Sequence, residues 1–174
     1  MTLHAAVAAV LVAFAPPARG GDGACTVEVG PGERFTQGRD AVVQPGEHLQ
    51  HVTALRGRVV IRGGAEVDEA MALGGDLVLE PGARVNGSVN SVGGNVFIQG
   101  NAWVSGDAVS LGGEVQRSKE SWVGGNVIAL AVKVGDQTLA RAISERLGDL
   151  ARCTVVQVRA HPAAAAGDDG GKTL

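Results

Sequence analysis

Pro81-Gly82-Ala83-Arg84-Val85 is one copy of a phrase that recurs as Pro45-Gly46-Glu47-His48-Leu49, Gly63-Gly64-Ala65-Glu66-Val67, Gly100-Asn101-Ala102-Trp103-Val104 and Lys119-Glu120-Ser121-Trp122-Val123. Successive copies start 18, 18, 19 and 19 residues apart. A unit this short cannot bury its own apolar face and must stack on its neighbours, which is the logic of a solenoid. The diglycines Gly74-Gly75, Gly93-Gly94 and Gly112-Gly113 keep the same 19-residue beat. An earlier phrase, Pro31-Gly32-Glu33-Arg34-Phe35, precedes the array by 14 residues, so residues 25–37 read as an irregular first turn before the repeats of 38–130.

Within each repeat, short runs of β-formers such as Val59-Val60-Ile61, Leu77-Val78-Leu79 and Val96-Phe97-Ile98 are bounded by Gly, Asn and Asp. Between Gly94 and Gly112 a finer spacing of six appears, and three sixes make one turn. The expected fold is all-β: a three-sided parallel β-helix, each strand pairing with its equivalent one turn away. Strand alternation then sends Leu49, Val67, Val85, Val104 and Val123 inward as one column, and matches Leu77 and Leu79 with Val96 and Ile98 in another. The preceding positions form an outer column, read as Arg34, His48, Glu66, Arg84, Trp103 and Trp122. Trp103 and Trp122 are therefore expected one turn apart on the outer wall, as a candidate protein contact.

Composition narrows the function classes. Hydrophobic residues make up 45% of the 174, but aromatics only 3% with no Tyr, so the core is aliphatic and stacked-aromatic carbohydrate recognition is poorly supported. The 27 glycines oppose long helices through the repeats. A net charge of −3 with both signs interspersed lacks the basic stripe that follows a phosphate backbone, so nucleic acid is not an expected partner. The diglycines lack the Lys and Ser or Thr of a phosphate loop, so no nucleotide or other cofactor is expected.

The chain begins with an apolar run, Ala5 to Ala15, then Pro16-Pro17 and small residues through Ala24. Residues 1–24 read as an export signal, too short to span a bilayer, which places the protein in the periplasm, at the cell surface or outside the cell; membrane association is left open. In an oxidising compartment Cys25 and Cys153 become candidates for a disulfide.

After Leu130 the repeat stops. Asp136 reads as an N-cap, and Leu139, Ile143, Leu147 and Leu150 share one face, so residues 131–160 are expected to hold a helix from about Gln137 to Arg152 and then a strand at Thr154–Val158. The tail, 161–174, reads as disordered. A helix of that length spans about five turns of a solenoid at about 4.8 Å each. It could therefore run back along the rod and bring Cys153-Thr154-Val155 beside the echoing Cys25-Thr26-Val27. The alternative is a helix that caps the last turn, with both cysteines buried.

No catalytic arrangement stands out. His48 and His51 have no partnering Ser or Cys motif and read as surface residues, and neither the cysteines nor the acidic residues show metal-ligand spacing. Asp76, Asn95 and Glu114, and likewise Asp68 and Asn86, recur at equivalent turn positions as polar ladders.

The segments Gly74 to Val89 and Ser91 to Gly113, with their Gly-Gly-Asp/Asn and Pro-Gly-Ala/Gly-Asn-Ala phrases, resemble the bactofilins, bacterial polymer-forming cytoskeletal proteins. The resemblance covers about 38–130. It implies a three-sided β-helix that assembles end to end without nucleotide and scaffolds envelope-associated proteins. The apolar start and the segment after Leu130 depart from that family's pattern. The expected function is a non-catalytic structural or scaffolding protein of the bacterial cell envelope, whose partners are itself and envelope proteins. The alternatives are a monomeric secreted binding rod using the tryptophan wall and, from the enzyme class, a hexapeptide-repeat acyltransferase, against which the 19-residue blocks and the lack of a His in the later turns both speak.

Overall fold

The computed structural model describes residues 26–131, 133–134, 137–138, 142 and 154–158. Its strands, in chain order, are β1 (Thr26–Val29), β2 (Glu33–Gln37), β3 (Ala41–Val43), β4 (His48–Leu55), β5 (Val59–Ile61), β6 (Glu66–Leu73), β7 (Leu77–Leu79), β8 (Arg84–Val85) and β9 (Val89–Val92). They continue as β10 (Val96–Ile98), β11 (Trp103–Val104), β12 (Ala108–Leu111), β13 (Val115–Arg117), β14 (Trp122–Val123), β15 (Val127–Leu130), β16 (Lys133–Val134), β17 (Gln137–Thr138) and β18 (Thr154–Gln157).

Through the repeat region every pairing is parallel and joins a strand to its equivalent in the next turn, giving a β-solenoid of about five turns. One stack runs β3-β5-β7-β10-β13. A nine-stranded sheet holds two further stacks, because β4 and β6 are long enough to pass a corner: their first residues pair toward β8, β11 and β14, and their later residues pair with β2 and with β9, β12 and β15. The register steps by 18 residues at Ala41↔Val59 and by 19 at Val96↔Val115, the interval of the sequence phrase at each place.

The phrase builds a corner. The Ala83 N–H donates to the Glu80 carbonyl at 3.0 Å, with Pro81 and Gly82 between them and Gly82 at φ 81°, the pattern of a type II turn. The same backbone bond closes at Glu47→Gln44, Ala65→Arg62, Ala102→Gln99 and Ser121→Ser118. The diglycine builds another corner by dividing two demands between two residues. Gly93 takes the left-handed conformation at φ 84°, while a Cβ on Gly94 would collide with the Gly75 carbonyl of the previous turn. Gly57, Gly75 and Gly113 repeat the second restriction, each against the carbonyl one turn back.

The core lies inside the coil. Val67, Val85 and Val104 are in mutual register and at most 1% exposed, with Leu49 and Val123 as half-buried ends of the same column. Leu77 and Leu79 pair with Val96 and Ile98, all fully buried, as the alternation requires. Each such side chain contributes about 1.5 to 3 kcal/mol by leaving water, so the stability is distributed along the array. Ser91 and Ser110 occupy an inward column otherwise filled by Thr36, Ala54, Ala72 and Ala129. Both serines are fully buried, and their hydroxyls donate to the carbonyls of Gly75 at 3.0 Å and Gly94 at 2.8 Å.

Three expectations change. Arg34 does not belong to the outer column: β2 pairs Arg34 with Val52, so it starts a different stack, and the 14-residue offset of its phrase is the reason. Within the expected irregular turn, then, β2 is a regular strand and β1 is the element that leaves the stack. The helix expected from about Gln137 is not supported. Gln137–Thr138 instead pairs antiparallel with Lys133–Val134. The antiparallel pairing of these two segments puts strand where the helix was expected to begin. The remainder of that expected helix, Ala142 apart, lies outside the described residues, as do the export signal, the tail, Cys25 and Cys153.

The strand at the C-terminus is present and pairs with β1, in parallel register Thr26↔Thr154, Val27↔Val155, Glu28↔Val156 and Val29↔Gln157. β1 sits beside the first turn, since Val27 and Val29 line a groove with Glu33, Phe35 and Thr53. Leu130 ends the last turn, and Thr154 stands back at the first.

Candidate functional site

The outer column follows from the register of the second stack: His48↔Glu66, Glu66↔Arg84, Arg84↔Trp103 and Trp103↔Trp122. Parallel in-register pairing places identical side chains one above another, so two tryptophans 19 residues apart in the chain become neighbours. Their ring centroids are 5.1 Å apart at an interplanar angle of 56°, a tilted contact within the range of favourable aromatic pairs. The Arg84 guanidinium carbon lies 5.5 Å from the Trp103 centroid, which is a cation–π contact. The wall remains open to solvent: Trp103 is 38% and Trp122 50% exposed.

Nearer the first turn the same face is polar. His48 Nδ1 stands 3.8 Å from Glu66, and Asn86 Nδ2 donates to Glu66 Oε1 at 2.8 Å. On the adjoining stack His51 lies between Glu33 at 3.5 Å and Glu69 at 3.9 Å. Both imidazoles are more than half exposed and face carboxylates, which supplies surface charge pairing and no hydroxyl or thiol to activate. Among the described residues no group of three or more His, Cys, Asp or Glu is placed to hold a metal ion.

The polar ladders lie at the corners, and they do structural work. Asp76 Oδ1 accepts the Asn95 N–H at 2.8 Å, and Asn95 Oδ1 accepts the Glu114 N–H at 2.9 Å. In the same column Asp40 accepts the Arg58 N–H and binds its guanidinium at 2.8 Å, so Arg58 holds the Asp40 carboxyl below its ordinary range. A parallel column repeats the device: Asp107 takes its N–H bond to Ser88 Oγ, and Asp107 Oδ1 accepts the Asn126 N–H. Asn86 Nδ2 donates to Asp68 at 3.1 Å, so that pair also meets as its spacing suggests. Asp40, Asp76, Ser88, Asn95 and Asp107 each satisfy a backbone donor of the following turn that the strand ladder leaves out, whereas the Asp68–Asn86 contact joins side chains only.

The second exceptional surface is the last turn. Among the described residues β13, β14 and β15 each pair on one side only. Among the described residues nothing covers the far side of β15: the inward Val127 is 44% exposed, where Ala108 and Val89, one and two turns back in the same column, are 0%, and the outward Ile128 and Leu130 are 37% and 49% exposed. An uncovered end of this kind offers both unpaired backbone groups and apolar side chains.

Arg34 and Glu47 were not legible as a pair. The Arg34 guanidinium holds both Glu47 oxygens, at 3.0 and 2.9 Å, and also donates to the Val42 carbonyl. The signal that could have found the buried serines was present: Ser91 and Ser110 keep the 19-residue beat at a position held elsewhere by the small residues Thr36, Ala54, Ala72 and Ala129.

Comparison with protein-family models, with curated proteins and with solved structures returns no match to this chain, so the reading of its function rests on the solenoid, its aromatic wall and its open last turn.

Proposed function

We propose that this protein is a non-catalytic structural or scaffolding element of the bacterial cell envelope that self-associates through the ends of its solenoid. The carrying observation is the last turn, where Val127, Ile128 and Leu130 are exposed on strands that pair on one side only among the described residues. A parallel ladder is extended by any strand of matching register, and the first turn of a second copy is built from the same pattern. The resemblance of residues 38–130 to the bactofilins supports the same reading, and the apolar start supports an exported location. Partners are then further copies of the chain and proteins of the envelope.

The test is size exclusion with light scattering on the full chain across concentration, with negative-stain imaging of the same fractions. A ladder of oligomers or filaments that Val127→Lys reduces to monomer is expected. A strict monomer at all concentrations overturns the proposal. A second reading has its own observation, the exposed Trp103–Trp122 pair flanked by Arg84, and describes a monomeric rod that binds another protein along its side. Trp103→Ala, on the interior strand β11, leaves self-association intact under the first reading and removes partner capture under the second.

A further inference from the structure

The strand pair at the first turn lacks the supports that hold the rest of the molecule. β1 and β18 form a separate two-stranded parallel sheet. All four residues of β18 are exposed, Val155 and Val156 by more than 40%. Only Val29 of the pair is buried. Two strands with so little apolar cover are marginal by themselves, and a parallel pair of remote segments must also overcome the entropy of closing the chain between them. Among the described residues, four rows of backbone pairing hold Thr154–Gln157 against Thr26–Val29.

The sequence supplies a cysteine at the same offset on both strands. Cys25 immediately precedes Thr26, Cys153 immediately precedes Thr154, and Thr26 and Thr154 are register partners. The two cysteines lie outside the described residues, so the argument runs from the register beside them. Neighbouring parallel strands are about 4.8 Å apart, and disulfides join Cα atoms about 4.4 to 6.8 Å apart. In-register residues of a parallel pair also send their side chains to the same face. One further row of the β1–β18 register is therefore a geometry that a disulfide accepts.

We propose that Cys25 and Cys153 form an intramolecular disulfide that staples the returning C-terminal strand to the first turn. Two thiols lose two protons and two electrons as the sulfur–sulfur bond forms. The oxidant is a disulfide, either that of a thiol oxidoreductase or of oxidised glutathione, which takes the two electrons and is reduced to two thiols by thiolate exchange. The bond fixes the end of the rod where β1 lies, the end that a second copy would bring to the open last turn, so its formation is read in the monomer fraction, apart from the self-association proposed above.

The full chain is refolded with a mixture of reduced and oxidised glutathione, alkylated without reduction, and digested for mass spectrometry. The expected result is one linked peptide pair containing Cys25 and Cys153, two hydrogens lighter than the sum of the free peptides, in the monomer fraction. Alkylation of both thiols, or linkage only between two chains, overturns the proposal. Hydrogen exchange on the Cys153→Ser variant gives a second readout: protection of Thr154–Gln157 falls at least tenfold while Val96–Ile98 is unchanged. Equal protection in the variant and the oxidised parent shows that the strand pair needs no staple and counts against the proposal.

Discussion

The interior turns and the β1–β18 pair use the same parallel ladder, yet they are held by different means. In β10 each residue pairs on both sides, Val96 with Leu77 and Val115 and Ile98 with Leu79 and Arg117, and the inward side chains are at most 1% exposed. In β18 each residue pairs on one side and every residue is exposed. The backbone pattern is therefore not what makes a strand stable here. Stability comes from the closed apolar column behind it, together with the corner residues that permit successive turns to approach.

A charge placed in each region separates them most sharply. Val104→Asp puts a carboxylate into a fully buried column between Val85 and Val123. It should cost about 4 kcal/mol or more, the range for an unpaired buried charge. Val156→Asp, at a position 44% exposed, should stay within about 0.5 kcal/mol. Urea denaturation followed by circular dichroism measures both, and similar costs for the two would erase the distinction.

Glycine substitutions sharpen the same contrast within the solenoid. Gly94→Ala is expected to lose about 2 to 4 kcal/mol, because the new methyl meets the Gly75 backbone and neither strand can move without unzipping its ladder. Gly46 has φ 80° but open space around its Cβ position. Gly46→Ala should then cost only the left-handed strain, about 1 to 2 kcal/mol. Thermal melts of the two variants check the order, which reverses if steric approach is not the governing term at the diglycine.

Ser91→Ala probes the buried polar column. It removes the hydroxyl that serves the Gly75 carbonyl but fits a column already built of alanine, so the expected loss is about 1 kcal/mol. A gain in stability in the same melts would mean that the column prefers alanine throughout.

The solenoid could be read from the chain because its signals are periodic. The Pro-Gly phrase marks one corner, the diglycine another, and alternation inside the strands assigns Val67, Val85 and Val104 to the core and Trp103 and Trp122 to the wall. Periodicity failed where the chain leaves the beat. Arg34 carries the phrase but not the spacing, and register with Val52, which sequence does not display, decides its place. Asp136 was read as a helix cap, whereas Gln137–Thr138 pairs with Lys133–Val134, a pairing between short segments that helical spacing of apolar residues does not reveal. The return of Thr154 to Thr26 was suggested by a repeated tripeptide and by the length of the expected helix, since long-range pairing leaves no local signature. The Arg34–Glu47 pair left none at all.

That pair makes the smallest expected effect. The Arg34 guanidinium, and after it the Gln44 N–H at 2.6 Å, favour the Glu47 carboxylate and draw its pKa from 4.5 down to about 2. The folded state therefore binds fewer protons than the unfolded state between those values. The contribution is fully present above about pH 4.5 and is lost as pH falls toward 2. Glu47 is 35% and Arg34 30% exposed, so solvent screening holds the contribution to about 1 kcal/mol or less. Glu47→Gln should be less stable than the parent at pH 7 by that amount and should converge with it near pH 2, as measured by urea midpoints across the range. The pair joins β2 to the corner before β4, so it braces the first turn, where among the described residues β2 pairs with β4 on one side. Convergence only above pH 4.5 would mean that the bracing comes from the aliphatic stem of Arg34 packing on the turn, leaving the charge without a part in holding this end of the rod.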